Sequence, residues 1–455
     1  MDIPAGKIRC LFGTDGVRDV ANRGVMTPEM ALRLGRAYVL FLTEKGIPRP
    51  TLVIGRDTRR SGQMLESAIL AGLTSAGAQV LNIEVAPTPE VSFAVKRLHS
   101  HGGVVISASH NPAEYNGIKF LDGEGKKLSD ENEASIEEYL GDNFLDDWRP
   151  TGASIGTVSL EKEIRRSYCE WLYCILASTG SLRNKLIIDC ANGAASSVIR
   201  ELVDDYDLPW DLVGDQPNGL NINDGVGVMA MKHLSELVLS GSYFMGIAYD
   251  GDADRVLLVD SLGRVIDGDI MLWVISRWME KKGTLGKGLT ATVMSNLALD
   301  EHLHQEGINL FRCPVGDRYV LQTMYENHSG LGGEQSGHVI INDYTTTGDG
   351  LCTGFVFLQA LSDLGEEATS LVDRFDRYPQ VLKNIVVRNK KLVLEHPSFN
   401  SIVQEASRTL EGMGRIFIRP SGTEPLIRIL VEAKDRELME SISEDVAREI
   451  SALVD

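Results

Sequence analysis

Three short apolar runs, Thr51-Leu-Val-Ile-Gly-Arg56-Asp57, Lys185-Leu-Ile-Ile-Asp189-Cys-Ala-Asn192-Gly193 and Leu289-Thr-Ala-Thr-Val-Met-Ser295-Asn296, each end in polar or glycine punctuation. Runs of this length with a turn signal behind them predict buried strands. A stretch of helical period follows each, near 62–77, 195–205 and 297–307, and then a second apolar run at Gln79-Val-Leu-Asn-Ile, Trp210-Asp-Leu-Val and Asn309-Leu-Phe. Strands alternating with helices of that length predict βαβ units and a parallel or mixed sheet, an internal repeat of structure rather than of letters. In each unit a third strand runs into a polar loop: Gly103-Val-Val-Ile-Ser into Ser109, Phe244-Met-Gly-Ile-Ala into Asp250, and Gly332-Gly into Glu334. Ligands of open α/β sheets sit beyond the carboxyl ends of strands, so all three loops lie where sites form.

The rhythm changes near residue 372. Asn384-Ile-Val-Val-Arg, a helix near 398–411, Arg415-Ile-Phe-Ile, Leu426-Ile-Arg-Ile-Leu-Val and a helix near 435–453 predict a small α+β domain. The expected fold is α/β, with three similar mixed-sheet domains and this smaller C-terminal domain around a central cleft. The expected boundaries are 1–155, 156–256, 257–371 and 372–455. That is one domain more than the roughly three that length alone suggests.

Composition narrows the partners. A formal charge of −19 argues against nucleic acid or an anionic membrane surface, and a phosphorylated substrate would need a local basic cluster. Six scattered cysteines without a CxxC pair predict reduced thiols and a cytoplasmic protein. The first residues start no signal peptide, and no apolar run approaches the ~20 residues of a membrane span.

Four loops carry the candidate chemistry. In Ser107-Ala-Ser109-His110-Asn-Pro112, followed by Asn116-Gly-Ile-Lys119, a serine able to carry a covalent group stands beside a histidine and a lysine able to move a proton. The bland alternative is a turn, which Ser, Asn and Pro also favour. Asp250, Asp252 and Asp254 alternate along an extended loop and so point to one side, where a hard cation makes three like charges tolerable. An EF-hand would need Gly and Glu where this chain has Arg255 and Ser261. Gly333-Glu334-Gln-Ser336-Gly-His338 mixes donors and acceptors as polyhydroxyl recognition requires. Arg419-Pro-Ser421-Gly422-Thr423-Glu-Pro425 with Arg428 offers converging N–H groups, hydroxyls and positive charge to a phosphate, or else is only a hairpin turn. Gly13-Thr-Asp15-Gly-Val-Arg18 adds a further glycine-rich loop ending in an arginine.

In this order, and over nearly the whole chain, these motifs resemble the α-D-phosphohexomutase superfamily, most closely its bacterial phosphoglucosamine mutase family. Phe12-Gly-Thr-Asp-Gly-Val-Arg18, Gly219-Leu-Asn-Ile-Asn223, Val315-Gly-Asp-Arg-Tyr-Val320, Gly333-Glu-Gln-Ser-Gly-His338, Thr346-Thr-Gly-Asp-Gly350 and Ser421-Gly-Thr-Glu-Pro-Leu-Ile-Arg428 carry the narrower match, with Gln335 as its informative letter. The resemblance implies a phosphoserine at Ser109, and Mg²⁺ held by Ser109, Asp250, Asp252 and Asp254. It assigns Glu334 and Ser336 to sugar hydroxyls and Arg419, Ser421, Gly422, Thr423 and Arg428 to the idle phosphate. Arg18, His110, Lys119 and His338 then fall among the catalytic or proton-handling positions.

The implied reaction interconverts glucosamine 6-phosphate and glucosamine 1-phosphate through a sugar 1,6-bisphosphate that also serves as activator, and it feeds UDP-N-acetylglucosamine synthesis. The expected partner is a small phosphosugar, with a homodimer left open. A phosphomannomutase or phosphoglucomutase is the alternative within the superfamily, and a silent sugar-phosphate sensor the alternative outside it. Two departures from the family pattern stand out: Asp19 where glycine usually follows the arginine, and Gly227-Val-Met-Ala-Met231 after the Asn223 motif.

Overall fold

The computed structural model describes residues 11–13, 15–141, 148–178, 184–420 and 426–453, which group into two compact units. The larger holds residues up to 294 together with 308–372, and the smaller holds 295–307 together with 373 onward.

The larger unit contains three sheets built on one plan. In the first, Thr51–Arg56 lies between the parallel strands Gln79–Val85 and Gly102–Ile106, and Gly102–Ile106 pairs with the antiparallel Tyr115–Asp122. The second repeats this with Leu186–Asp189 between Trp210–Val213 and Met245–Tyr249, closed by antiparallel Val256–Asp260. The third does so with Leu289–Thr292 between Leu310–Cys313 and Leu331–Gly333, closed by Val339–Ile341. The three polar loops that follow the third strands are therefore equivalent hairpins, each turning a buried parallel strand into its antiparallel neighbour.

Alternation along the strands explains the layering of the first sheet. Leu52, Ile54, Val104 and Ile106 share a core with the helices Pro28–Glu44 and Gly62–Ser75, whereas Val53 and Val105 point the other way, onto Val91, Ala94 and Val95 of the helix Thr88–Arg97. A two-residue period places successive side chains on opposite faces, so a strand covered by helices on both sides reads as one continuous apolar run. Thr27 caps the first helix through Met30 N–H, with Pro28 in the first turn. Val158–Leu160 adds to the far edge of this sheet against Gln79–Val85, with all three residues exposed.

In the smaller unit, Leu426–Ala433 lies between antiparallel Gln380–Val386 and Gly414–Pro420, backed by the helices Phe399–Thr409 and Arg436–Ala452 around Val387, Ile427, Ile429, Val431 and Val446. The helix Leu297–Gln305, read from sequence as the crossover of the third βαβ repeat, makes its polar contacts here. Asn296 donates to Tyr378 O at 3.0 Å, and His302 stacks on Phe375 with ring centres 5.0 Å apart. Among the described residues Cys169, Cys190, Cys313 and Cys352 are buried, Cys174 is exposed and none is bridged. No described helix is long and apolar enough to cross a membrane.

Candidate active site

The first two equivalent hairpins meet. Ser109, at the carboxyl end of Gly102–Ile106, is buried and adopts the left-handed backbone region with φ 51°. Its Oγ donates to Asp250 Oδ2 at 2.6 Å and lies 3.3 Å from His110 Nδ1. Gly251 makes the approach possible, because a Cβ there would stand 2.6 Å from the Ser109 carbonyl oxygen.

Asp250, Asp252 and Asp254 are fully or almost fully buried, and each offers a carboxylate oxygen within 4.8 Å of the others. Oδ1 of Asp252 and Oδ1 of Asp254 are buried without a hydrogen-bond partner among the described residues. Burial, then the charges of Asp254 and Asp252, push the Asp250 carboxyl well above the usual carboxylate range. Burial also acts to raise Asp254, but Lys119, His338, Lys127 and Arg255 together hold it below the ordinary value. Three crowded carboxylates with orphaned oxygens are a donor set that suits a hard cation.

Lys119, on the antiparallel strand Tyr115–Asp122, supplies the counter-charge. Its Nζ lies 3.0 Å from Asp252 Oδ2, 3.1 Å from Asp15 Oδ2 and 3.5 Å from Asp254 Oδ2, and its side chain is 1% exposed. Burial alone would lower its pKa, yet Asp15, Asp252 and Asp254 raise it well above the usual lysine range. Thr88, at the start of the helix Thr88–Arg97, also donates to Asp252 Oδ2 at 2.6 Å.

Arg18 joins the same cluster from the edge strand Val17–Val20, donating to Asn111 Oδ1 at 2.8 Å and to Asp15 Oδ2 at 2.5 Å. His110 sits 3.2 Å from Arg255 Nη1; burial first, then the charges of Arg255 and Arg18, lower its pKa to about 4. It is therefore neutral near pH 7.

The third hairpin joins through main chain. Arg255 and His338 form an antiparallel bridge, and Val256 N–H donates to Gly337 O at 3.1 Å. His338 is 3% exposed. Neither ring nitrogen makes a hydrogen bond within the described residues, although Nε2 lies 3.7 Å from Asp317 Oδ2. Glu334 accepts from Gly316 N–H at 3.1 Å and from Ser336 Oγ at 3.3 Å, so the two candidate sugar-reading groups are neighbours.

Sequence reasoning did not single out Lys127 or Arg59, and quoted Asp15, Asn223 and Asp317 only inside motifs. Lys127 bridges Asp15 and Asp317, which extends the charged row from Lys119 to the side of His338. Asp15 could have been suspected, since it shares the glycine-rich loop with Arg18; Lys127 carries no local signal. Asp19 accepts from Val25 N–H at 3.2 Å, and a Cβ on Gly24 would stand 2.0 Å from its Oδ2. The carboxylate thus pins the turn that follows Arg18. Gly227 donates to Asp189 Oδ2 at 2.7 Å, and Met229 in the other departing segment is exposed.

Of the predicted phosphate cradle, Ser421, Gly422 and Thr423 lie outside the described residues. Arg419 and Arg428 flank them as directly opposed partners on antiparallel strands of the smaller unit.

Profiles of the phosphoglucomutase/phosphomannomutase family match the chain at residues 9–145 (alpha/beta/alpha domain I), 267–378 (alpha/beta/alpha domain III) and 382–449 (C-terminal domain). Phosphoglucosamine mutase of Pelotomaculum thermopropionicum is 43% identical over 95% of this chain and 97% of its own, and that of Bacillus subtilis is 44% identical over 94% and 95%. Among solved structures, a phosphoglucomutase/phosphomannomutase family protein from Burkholderia thailandensis superposes with a TM-score of 0.78 at 22% identity, covering 98% of both chains. The N-acetylphosphoglucosamine mutase of Aspergillus fumigatus, solved with GlcNAc-6P and magnesium, shares the fold at a TM-score of 0.72 and 17% identity over 99% of this chain and 97% of its own. Similarity of this extent to the bacterial enzymes means that the chain belongs to the phosphohexomutase superfamily, in its phosphoglucosamine mutase family.

Proposed function

We propose that the protein interconverts glucosamine 6-phosphate and glucosamine 1-phosphate, with Ser109 as the phosphoryl carrier. The observation that carries this reading is a strained, buried serine whose Oγ lies 2.6 Å from the first of three clustered carboxylates, in a chain of phosphoglucosamine mutase ancestry. In the first half-reaction the bond from phosphorus to Ser109 Oγ breaks as a bond to the sugar O1 forms. The O1 proton leaves to a base, and a proton is restored to Oγ. The resulting 1,6-bisphosphate turns end for end, and its O6 phosphoryl group returns to Oγ by the reverse exchange. The same bisphosphate would charge an enzyme that has lost its phosphate.

Asp250, Asp252, Asp254 and an oxygen at Ser109 would hold Mg²⁺, which when bound offsets charge on the transferring group. Lys119 and Arg18 would contribute positive charge beside Ser109, neutral His110 could accept a proton, and His338, whose ring nitrogens make no hydrogen bond among the described residues, could exchange one with a sugar hydroxyl. Glu334 and Ser336 would read hydroxyls. We keep the division at 155/156, 256/257 and 371/372 as our own, and a cytoplasmic setting suits the unbridged thiols.

Arg419 and Arg428 stand directly opposite one another on paired strands, so both guanidinium groups can serve one phosphate. Arg419→Ala is expected to raise KM for the monophosphate roughly tenfold and to let bisphosphate accumulate in solution, because the idle phosphate loses a tether. Wild-type KM without released bisphosphate would remove Arg419 from phosphate binding.

Coupled assays on glucosamine, glucose and mannose 1-phosphates test the substrate. We expect kcat/KM for the amino sugar to exceed the other two by about tenfold or more, a difference of roughly 1.4 kcal/mol. A preference for glucose or mannose phosphate would overturn the substrate while leaving the phosphoryl chemistry intact.

A further inference from the structure

Ser109 is held by its backbone as well as by its hydroxyl. Arg59, whose side chain is fully buried, donates from Nη2 to the carbonyls of Ser109 and Asn111 at 2.8 Å each, and from Nη1 to those of Tyr115, at 3.1 Å, and Pro112. Asn223 Nδ2 donates to the same Ser109 and Asn111 carbonyls, at 2.9 and 3.1 Å. The same two carbonyls are thus held by two side chains. One grip comes from the segment after Thr51–Arg56, and the other comes from the loop that follows the second sheet's Trp210–Val213.

The grip closes on itself. Asp57 Oδ2 accepts from Arg59 Nε at 2.8 Å and from Ser107 Oγ at 2.7 Å, and Ser107 Oγ in turn accepts from Ser109 N–H at 2.9 Å. A ring of hydrogen bonds therefore runs from the Ser109 amide through Ser107, Asp57 and Arg59 back to the Ser109 carbonyl. Serine is strained in the left-handed region, and such strain persists only where the surroundings over-determine it. Gly251 packs against the same carbonyl, so releasing the grip would let the loop drift from the acidic cage.

We propose that Arg59 and Asn223 are positioning residues for phosphoryl transfer: they fix the main chain at Ser109 so that Oγ stays aimed at the Asp250 cluster. This rests on the reading of Ser109 as phosphoryl carrier. Arg59 acts from a rigid interior. Asn223, half-buried and itself left-handed with φ 59°, ties the grip to the second sheet. The grip acts on the geometry of the reacting serine and not on the sugar, so its loss falls on kcat and leaves KM alone.

The test uses the full chain, stripped of phosphate and mixed with glucose 1,6-bisphosphate, and follows the rate at which Ser109 gains phosphate by intact mass and peptide mapping. Asn223→Ala removes both of that side chain's donations from a half-buried position. Arg59→Lys keeps the charge but loses the fork. Misplacing a reacting atom by about 1 Å costs up to about 10²-fold, so charging is expected to slow at least tenfold in Asn223→Ala and further in Arg59→Lys, at an unchanged concentration for half-maximal rate. Asn223→Ala is expected to lower the melting temperature by a few degrees, because alanine fits a left-handed position less well than asparagine, while the chain stays folded at the assay temperature. Asn223→Gln, which retains the amide, is expected to recover part of the rate.

Charging within twofold of wild type in Asn223→Ala would overturn the proposal. So would a loss expressed only as weaker binding, or a lower melting temperature with normal charging of the folded fraction. If Arg59→Lys does not fold, Asn223→Ala decides alone. A wild-type chain that gains no phosphate on Ser109 would instead overturn the carrier reading on which the proposal stands.

Discussion

Ser109→Ala is expected to lower mutase turnover by about 10⁴-fold or more, roughly 5 kcal/mol of transition-state stabilisation, because the covalent route loses its carrier. The substitution deletes one oxygen and its 2.6 Å donation to Asp250. It keeps the amide bond to Ser107 and the carbonyl bonds to Arg59 and Asn223, so the loop retains its main-chain scaffold. Stability should therefore change by no more than about 1 kcal/mol, and a thermal melt beside the coupled assay separates lost chemistry from lost fold. Alanine in place of Ser109 with turnover within tenfold of wild type would remove the phosphoserine from the mechanism.

The second large effect is expected at Lys119. Its ammonium group is the nearest positive charge to two of the three clustered carboxylates, and it also meets Asp15. Lys119→Met preserves much of the volume and removes the charge, taking the ionic partner from Asp252 and one of several from Asp254 and Asp15. Breaking a buried ion pair from one side costs about 3–5 kcal/mol, and part of that should be visible as a lower melting temperature. Turnover should fall about 10³-fold, since the same charge faces a phosphoryl group during transfer. Raising Mg²⁺ should recover stability more than turnover, because a cation among the carboxylates restores charge balance without restoring the lysine's position. Turnover and melting temperature both near wild type would mean that the carboxylates are balanced elsewhere.

The legible part of the site follows from where the sheets end. Ser109, Asp250 and Glu334 announce themselves because each breaks a short apolar run with polar letters, and the fold puts those breaks in equivalent hairpins. Pattern reading works there because strand burial and loop exposure are local consequences of the sequence. It fails for groups whose role is set by distant partners. Arg59 and Arg60 are adjacent identical letters, yet Arg59 is buried against Asp57 and Arg60 is exposed. What separates them is the set of carbonyls some fifty residues away, which no local window contains. Lys127 is the same case, recognisable only once Asp15 and Asp317 stand on either side of it.

The edge strand Val158–Leu160 left no mark in the pattern, because its three residues are exposed and carry no buried period. The helix Leu297–Gln305 was visible as a helix, but its grouping with the C-terminal segment depends on Asn296, Glu301 and His302 meeting Tyr378 and Phe375. Asp19 gives the reverse lesson. Judged against the family pattern it changes the flexibility and charge of that loop, and the structure gives the direction: its carboxylate accepts from the backbone of Val20 and Val25 and braces the turn.

The most direct test of the phosphoserine account is a pulse and chase on the wild-type chain. Protein stripped of phosphate is mixed with labelled glucosamine 1,6-bisphosphate, and the labelled peptide is mapped. Unlabelled glucosamine 6-phosphate is then added, and loss of label is timed against turnover. The account predicts label on Ser109 alone, leaving for the sugar at least as fast as kcat. Turnover with no label on the protein, or with label on another residue, would contradict it.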